Sequence, residues 1–175
     1  MVSQFKPTWM VPAIYNVSPE RLQQAGIKAI LTDLDNTLIA WNNPDGTPQL
    51  QRWIEMMHKN DIRIVVVSNN NASRVSRAVS SLNLEFVSRS LKPLTRGIRQ
   101  AQRQLNLTND QVVMVGDQLL TDVWAANNAH VRSILVKPII ETDKWNTRPN
   151  RFLEQFVIRR LHKVYPTLTW QEDIK

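Results

Sequence analysis

The chain contains no cysteine among its 175 residues. Without a thiol it can form no disulfide frame, no thiolate metal site and no cysteine nucleophile. Its three histidines, His58, His130 and His162, are scattered along the chain, so a histidine-rich zinc site is not expected. The absence of disulfides fits a reducing compartment.

Long apolar runs are also missing. No stretch approaches the roughly 18 consecutive apolar residues of a membrane-spanning helix, and residues 1–10 lack the apolar core of a signal peptide. We therefore expect a cytoplasmic protein that does not span a membrane. No internal repeat, low-complexity tract or domain linker interrupts the chain, so a single domain over residues 1–175 is predicted.

Acidic residues are fewer than basic ones, 15 against 22, which gives a formal net charge of +7. Such a charge favours anionic partners but does not identify them. The hydrophobic share of 42% is ordinary for a globular protein, and the length suits a sizeable core.

Apolar runs of strand length alternate with helical patterns through a core of about residues 28–137. Five runs are predicted as strands: the run that ends at Asp33, and residues 62–67, 86–87, 112–115 and 131–136. Strands that alternate with helices indicate a Rossmann-like α/β fold, with a mainly parallel five-stranded sheet between two helical layers. The N-terminal segment is predicted to be irregular, because Pro7 and Pro12 act as breakers.

The first predicted strand ends in two carboxylates, Asp33 and Asp35, followed by the hydroxyl of Thr37. In an extended chain the two aspartate side chains point to the same side. There they repel each other unless a cation or a shared proton lies between them. The carboxyl ends of the strands are where open α/β sheets bind ligands. By itself, the stretch is equally compatible with a functional site and with an ordinary Asp- and Asn-rich turn.

Polar residues follow the other predicted strands too: Ser68, Lys92, and Asp117 with Asp122. In a parallel sheet they would share one edge with the two aspartates. Carboxylates suit a hard cation such as Mg²⁺, and an aspartate can attack phosphorus. A hydroxyl and an ammonium group can bind phosphoryl oxygens. This edge therefore predicts phosphoryl transfer.

These motifs, in this order, resemble the four motifs of the haloacid dehalogenase-like (HAD) phosphatases. They are Asp33-Leu-Asp-Asn-Thr37, Ser68 after Val65-Val-Val67, Lys92-Pro93, and Gly116-Asp-Gln-Leu-Leu-Thr-Asp122. The resemblance implies that Asp33 is the nucleophile and a Mg²⁺ ligand. It implies that Asp35 is the general acid/base and lends Mg²⁺ its backbone carbonyl.

The resemblance implies roles for the remaining motif residues as well. Ser68 and Lys92 would bind the transferring phosphoryl group. Asp117 would be a Mg²⁺ ligand, and Asp122 either a ligand through water or a support for the ligands. Two further residues, Thr37 and Asn69, are predicted to contact phosphate or substrate. Asn69, together with Asn70 and Asn71, has capping of the next helix as its alternative role.

Within the HAD phosphatases, the chain is most similar to the YqeG-like group of subfamily IIIA. The matching segments are Thr32-Asp-Leu-Asp-Asn-Thr-Leu38, Val67-Ser-Asn-Asn-Asn71 and Gly116-Asp-Gln-Leu-Leu-Thr-Asp-Val123. The group is similar to mitochondrial phosphatidylglycerophosphate phosphatases. The resemblance therefore implies this phospholipid head group as a candidate substrate, without settling the substrate.

The intervals between the motifs leave no room for a cap domain. Between Asp35 and Ser68 there is one loop and one helix, and between Ser68 and Lys92 one helix and a short strand. A cap closes most HAD sites over small substrates. A capless site favours a substrate that is itself large, or one covered by a partner chain. Trp41, in the loop past Asp35, either contacts the leaving group or packs on its own domain.

The C-terminal region predicts a basic amphipathic helix over about residues 150–164. Apolar residues recur there at helical spacing: Phe152, Leu153, Phe156, Val157, Leu161 and Val164. This helix either docks its apolar face on the sheet or lies at an anionic membrane surface, where basic residues contribute to binding. The second alternative predicts peripheral membrane association.

Two other classes of protein share parts of this pattern. A receiver domain also groups acids, a hydroxyl and a lysine around a phosphorylated aspartate, but the spacing of Asp33, Asp35 and Thr37 disfavours it. An RNA-binding protein could keep a HAD-like scaffold without hydrolytic turnover. No RNA- or DNA-binding motif is present, so nucleic acid is not an expected partner. The sequence does not specify the oligomeric state.

Overall fold

The computed structural model describes residues 2–40, 43, 46–140 and 148–175, and in the last helix it describes side chains from residue 152 onwards. The predicted contact of Trp41 with a leaving group falls outside these residues. The strands are β1 (Trp9–Val11), β2 (Ala29–Thr32), β3 (Arg63–Val67), β4 (Glu85–Val87), β5 (Val112–Gly116) and β6 (Arg132–Val136). The α-helices are α1 (Pro19–Gln24), α2 (Pro48–Lys59), α3 (Ala72–Val79), α4 (Arg96–Leu105), α5 (Trp124–Asn128) and α6 (Arg148–Val164).

The strands form one parallel sheet in the order β1-β6-β5-β2-β3-β4. The central strand β2 pairs with β3 on one side and with β5 on the other, so that Thr32 lies opposite both Val66 and Val115. The predicted Rossmann-like parallel sheet is confirmed. All four residues of β2 and all five of β5 are buried, as expected for strands covered on both faces.

The prediction of five strands is wrong, because the described part of the chain holds a sixth, β1, at the edge of the sheet. Met10 of β1 lies opposite Leu135 of β6. The strand is only three residues long, which is too short for a recognisable alternation. Pro7 and Pro12 flank it, and proline is tolerated at sheet edges because part of the backbone there needs no ladder hydrogen bond.

Two apolar layers cover the sheet. On one face Ile30 and Val66 pack with Trp53 and Met57 of α2, in a cluster that also includes residues of α1 and α3. On the other face Leu31 and Val65 pack with α4 and α5. Between the end of β2 and the start of β4, the described residues contain only α2, β3, α3 and short turns, so they include no cap domain.

Helix α6 begins at Arg148 and ends at Val164. Its Leu161 is fully buried in a small cluster with Met10 and Leu119. The first half of the helix is different, because Phe152, Leu153 and Phe156 are 61%, 53% and 55% exposed. The helix therefore docks on the core through only part of its apolar surface. No helix in the described ranges is long and apolar enough to cross a membrane.

Candidate active site

The carboxyl edge of the sheet collects the polar residues of the sequence motifs. Asp33 directly follows β2, and its amide donates a hydrogen bond to the carbonyl of Val115 in β5 (2.9 Å). Ser68 follows β3, and its amide donates to Val87 at the end of β4 (2.9 Å). Asp117 follows β5. Because the strands are parallel and paired in register, these residues are held side by side.

Lys92 is the cation at the centre of the edge. Its Nζ lies 2.6 Å from Oδ1 of Asp33 and 2.7 Å from Oδ1 of Asp122. The side chains of Lys92 and Asp122 are each 2% exposed and that of Asp33 is 14% exposed. Since water screens such buried charges poorly, each group depends on the others for charge compensation.

The pKa values of Lys92 and Asp33 reflect this environment. Burial alone would lower the pKa of Lys92, but the carboxylates of Asp122 and Asp33 outweigh it, so the pKa rises and Lys92 stays protonated. Burial raises the pKa of Asp33 from 3.8 to about 6, against the opposing effect of Lys92 and with a further rise from Asp122. Asp33 is therefore a carboxylate whose charge the folded protein only partly compensates.

A second cation could complete that compensation, because Asp33, Asp117 and Asp122 each offer an oxygen and these oxygens lie within 4.8 Å of one another. Thr37 is buried beside them, and its Oγ1 donates a hydrogen bond to Oδ1 of Asp117 (3.1 Å). The Thr37 hydroxyl thus orients a carboxylate of this group. Its predicted contact with phosphate stays a prediction.

Asp122 is fixed on its other side by the backbone. Its Oδ2 accepts a hydrogen bond from the amide of Gln118 (3.1 Å). A Cβ added at Gly116 would lie 2.2 Å from Cγ of Asp122, well inside van der Waals contact. The residue that ends β5 therefore has to be glycine, because only its bare backbone lets the Asp122 carboxylate reach Lys92.

Asp35 belongs to a separate group of contacts. Its Oδ1 accepts from Nη2 of Arg74 (2.8 Å) and its Oδ2 from Nδ2 of Asn70 (3.0 Å). The Asp35 carboxylate is not part of the three-carboxylate group around Lys92. The first motif thus divides at the edge of the sheet, with Asp33 facing Lys92 and Asp35 facing α3.

The segment after β3 connects these two groups. Ser68 is buried, and its Oγ accepts from both the amide (3.2 Å) and Nδ2 (3.1 Å) of Asn70. The side chain of Asn69 donates to the carbonyl of Lys92 (3.1 Å) and accepts from the Lys92 amide (2.8 Å). Asn69 therefore holds the backbone of Lys92, whereas Asn71 caps α3 by accepting from the amide of Arg74 (2.9 Å).

Sequence reasoning did not predict the contacts of Asn70 and Arg74 with Asp35. The position of Arg74 six residues after Ser68 made it a candidate for substrate binding near the site, and Asn70 was expected to cap the next helix. Their convergence depends on the turn after β3, which brings α3 over the end of β2. Glu154 of α6 was missed as well, although its Oε1 accepts from the amide of Leu120 (3.0 Å) beside Asp122.

A sheet edge that presents a buried lysine among three carboxylates, with a fourth carboxylate beside it, is typical of the HAD hydrolases. Residues 91–163 match the family model described as HAD-hydrolase-like. The chain is 38% identical to the probable phosphatase YqeG of Bacillus subtilis (strain 168) over 96% of its own length and 97% of that protein. The chain belongs to the YqeG-like family of HAD phosphatases.

Solved structures support the fold. An uncharacterized protein from Listeria monocytogenes serotype 4b superposes with a TM-score of 0.52 at 13% identity, over 76% of this chain and 99% of that one. A hypothetical protein from Xanthomonas campestris superposes with a TM-score of 0.50 at 14% identity, over 75% of this chain and 72% of that one. At such low identity these likenesses concern the fold alone.

Proposed function

We propose that this phosphatase hydrolyses a phosphate monoester with Mg²⁺, through an aspartyl-phosphate on Asp33. The observation that carries the proposal is the position of Lys92, 2.6 Å from Asp33 and 2.7 Å from Asp122. One cation cannot neutralise the three carboxylates of this group. A metal ion and an incoming phosphoryl group would both find partners there.

The first half of the reaction forms the phosphoenzyme. An Oδ atom of ionised Asp33 attacks phosphorus, and the bond from phosphorus to the leaving oxygen breaks. Asp35, in its protonated form, gives its proton to that oxygen, so the leaving group departs as an alcohol. Lys92 and Ser68 bind the oxygens of the transferring group. Arg74 and Asn70 hold the Asp35 carboxyl in place through the contacts described above.

The second half of the reaction releases phosphate. Asp35, now ionised, takes a proton from a water molecule, whose oxygen attacks phosphorus of the aspartyl-phosphate. The bond between phosphorus and the Asp33 oxygen breaks, and both carboxyl groups return to their starting states. This turnover separates the proposal from a receiver-like protein, which keeps its phosphate and does not hydrolyse esters.

The carboxylate group fits Mg²⁺ better than a softer metal. It consists of hard oxygen donors, and the sequence has no cysteine to supply a thiolate. Asp33 and Asp117 would bind the ion directly, the backbone carbonyl of Asp35 would add a ligand, and Asp122 would bind through water or support the others. When bound, Mg²⁺ would offset negative charge on the phosphoryl oxygens.

Removal of the metal should abolish phosphatase activity. After exhaustive chelation, hydrolysis of a generic aryl phosphate should fall to background and return when Mg²⁺ is added in excess, because the carboxylates then regain their second cation. The same assay across lipid, nucleotide, sugar and peptide phosphates would reveal the substrate class. Full activity in the chelated protein would count decisively against the proposed mechanism.

The Mg²⁺ requirement should depend on pH. In the metal-free protein the pKa of Asp33 is raised to about 6, so protons compete with the metal below that pH. The Mg²⁺ concentration for half-maximal thermal stabilisation should therefore be higher at about pH 5.5 than at about pH 7.5. An unchanged concentration would show that Asp33 is not a ligand.

For the substrate, we propose an anionic phospholipid head group, with phosphatidylglycerophosphate as the candidate, and a cytoplasmic enzyme that binds the membrane peripherally. The described residues carry no cap over the site, which therefore leaves room for a lipid surface. Helix α6 carries exposed Phe152, Leu153 and Phe156, and its following turns carry the exposed basic residues Arg159, Arg160 and Lys163. Aromatic and basic side chains on one interfacial helix suit an anionic membrane.

The position of α6 connects this surface to the catalytic site. Glu154 holds the backbone beside Asp122, and a cavity of about 220 Å³ between Asp117 and α6 is lined mainly by apolar side chains such as Ile158 and Trp170. A membrane bound by α6 would therefore lie next to the carboxylate group. This brings the monoester of a lipid head group near Asp33 without extracting the lipid.

Membrane binding is tested by co-sedimentation with vesicles. The protein should sediment with anionic vesicles at low salt, and less at high salt, because salt screens the basic residues. The double variant Phe152→Ser/Phe156→Ser should lose most of this binding, whereas Met56→Ser, an exposed apolar residue of α2, should not. If the wild type stays in the supernatant with anionic vesicles at low salt, a soluble substrate becomes the proposal.

A further inference from the structure

An open cavity of about 580 Å³ lies beside Asp35, at the N-terminal end of α3. Its lining residues are Ile39, Asn71, Ala72, Ser73, Arg74, Arg77, Ala78 and Arg89. Three of these carry a positive charge and none is acidic. We call this the arginine cavity. None of the roles assigned above requires Arg77 or Arg89.

The three arginines come from two elements, α3 and the segment after β4. Arg74 and Arg77 lie one turn apart on α3 and so share a face. Arg89 follows β4 in the left-handed region (φ 46°), where its amide donates a hydrogen bond to the carbonyl of Asn70 (2.8 Å). The cavity is therefore built on the same segment, residues 68–71, that positions Ser68 and Asn70 in the catalytic site.

Two of the three cations in the arginine cavity, Arg77 and Arg89, are not matched by an acidic side chain among the described residues. In the described ranges, no acidic side chain forms an ion pair with Arg77 or Arg89. Arg74 uses Nη2 on Asp35, and its buried Nε has no hydrogen-bond partner among the described residues. Asp35 compensates the charge of Arg74, but the charges of Arg77 and Arg89 remain uncompensated in the same concavity, and an anion from outside would relieve their repulsion.

Arg74 connects the arginine cavity to the catalytic residue Asp35. It touches the Asp35 carboxyl and lines the cavity at the same time. In the mechanism proposed above, Asp35 protonates the leaving oxygen. The leaving group of the substrate therefore departs past Arg74, towards Arg77 and Arg89.

We propose that the arginine cavity binds a second anionic group, a phosphate or phosphodiester, carried by the leaving group of the substrate. This inference rests on the proposed function and adds the site that selects the substrate, which would favour a monoester whose leaving group is itself an anion. Guanidinium groups match phosphate oxygens through paired N–H donors, so arginine is well suited to this task. The second anion could belong to a lipid head group or to a soluble bisphosphate, since both present the same oxygens.

The test compares substrates that carry the second anion with substrates that lack it. The soluble pair is a sugar bisphosphate and the matching monophosphate. The lipid pair is phosphatidylglycerophosphate and phosphatidic acid, each in vesicles of phosphatidylcholine. For each pair, the ratio of kcat/KM for the doubly anionic to the singly anionic substrate is measured with Mg²⁺ in excess. The wild type should prefer the doubly anionic member of at least one pair, and the pair identifies the source of the anion.

The double variant Arg77→Gln/Arg89→Gln should lower that ratio about tenfold, because two charge-assisted hydrogen bonds to the second anion are lost. Both side chains are exposed, so the fold should survive, and a thermal melt checks this. Arg74 is left intact because it contacts Asp35. The matched control is Arg103→Gln, an exposed arginine near the C-terminal end of α4, which should keep the wild-type ratio.

The possible outcomes separate this inference from the function on which it rests. A wild type without preference in either pair, or a double variant with an unchanged ratio, overturns the arginine cavity as an anion site while leaving the phosphatase mechanism in place. If the wild type hydrolyses none of the substrates with Mg²⁺ present, the proposed function itself fails. A fall of the ratio in the lipid pair alone assigns the second anion to a phospholipid.

Discussion

Asp33→Asn should reduce phosphatase turnover to the background rate. The amide cannot attack phosphorus, and the substitution also removes one negative charge from the three-carboxylate group. Because asparagine has nearly the same shape as aspartate, the variant should still fold, which cooperative unfolding would show. The measurement is hydrolysis of an aryl phosphate with Mg²⁺ in excess, together with a search for phosphoenzyme by rapid acid quench, which should find none in the variant.

Asp61→Asn is the control for this result. This substitution makes the same chemical change in an exposed turn after α2, and it should leave turnover within about twofold of the wild type. Near wild-type hydrolysis by Asp33→Asn in the presence of Mg²⁺ would refute the nucleophilic role. Phosphate trapped on a residue other than Asp33 in the wild type would refute that role as well.

Lys92→Met should destabilise the protein and also disable catalysis. Methionine nearly fills the volume of lysine, but it leaves Asp33 and Asp122 buried without their shared cation. Removal of one partner from a buried ion pair typically costs about 3–5 kcal/mol. Unfolding by urea in the presence of a chelator measures this loss, and Lys59→Met, an exposed lysine at the end of α2, is the control.

The pH dependence of this variant follows from Asp33. Its pKa is raised in the folded protein to about 6 from 3.8, so the stability associated with this group is present below about pH 4 and is lost as the pH rises through 6. Without Lys92 the pKa of Asp33 rises further. Lys92→Met should therefore lose more stability at about pH 7.5 than at about pH 5, and an equal loss at both would show that the two groups are not coupled.

The sequence predicts the sheet and the centre of the site because both depend on local patterns. A buried strand that ends in an acid can be recognised without knowing its neighbours, and parallel strands necessarily bring such ends together. This is why Asp33, Lys92 and Asp117 could be assigned to one edge. The order of the strands, with β5 rather than β4 beside β2, did not have to be known for that inference.

The parts that the sequence did not predict depend on long-range contacts or on very short elements. β1 was missed because a strand of three residues, flanked by two prolines, is too short to show an alternation of apolar and polar residues. The role of Asn69 was left open between substrate contact and capping, because its hydrogen bonds to Lys92 join residues far apart in the chain. For α6 the sequence offered docking on the core or binding to a membrane as alternatives. In the structure Leu161 docks on the core while Phe152 and Phe156 remain exposed, so docking of one part of the helix leaves another part free for a membrane.

The order of strands in the sheet has a consequence for the time course of folding during synthesis. Among the described strands β1 leaves the ribosome first, yet its partner β6 is synthesised last, so Trp9 can pair only after Ile134 has been made. The central strand β2 likewise waits for β5 before Asp33 can meet Asp117. Contacts so distant along the chain form slowly, and unpaired strands are prone to aggregate meanwhile. A nascent chain halted before β5 therefore lacks Asp117 and Asp122, two members of the three-carboxylate group, and β1 remains available for binding by chaperones.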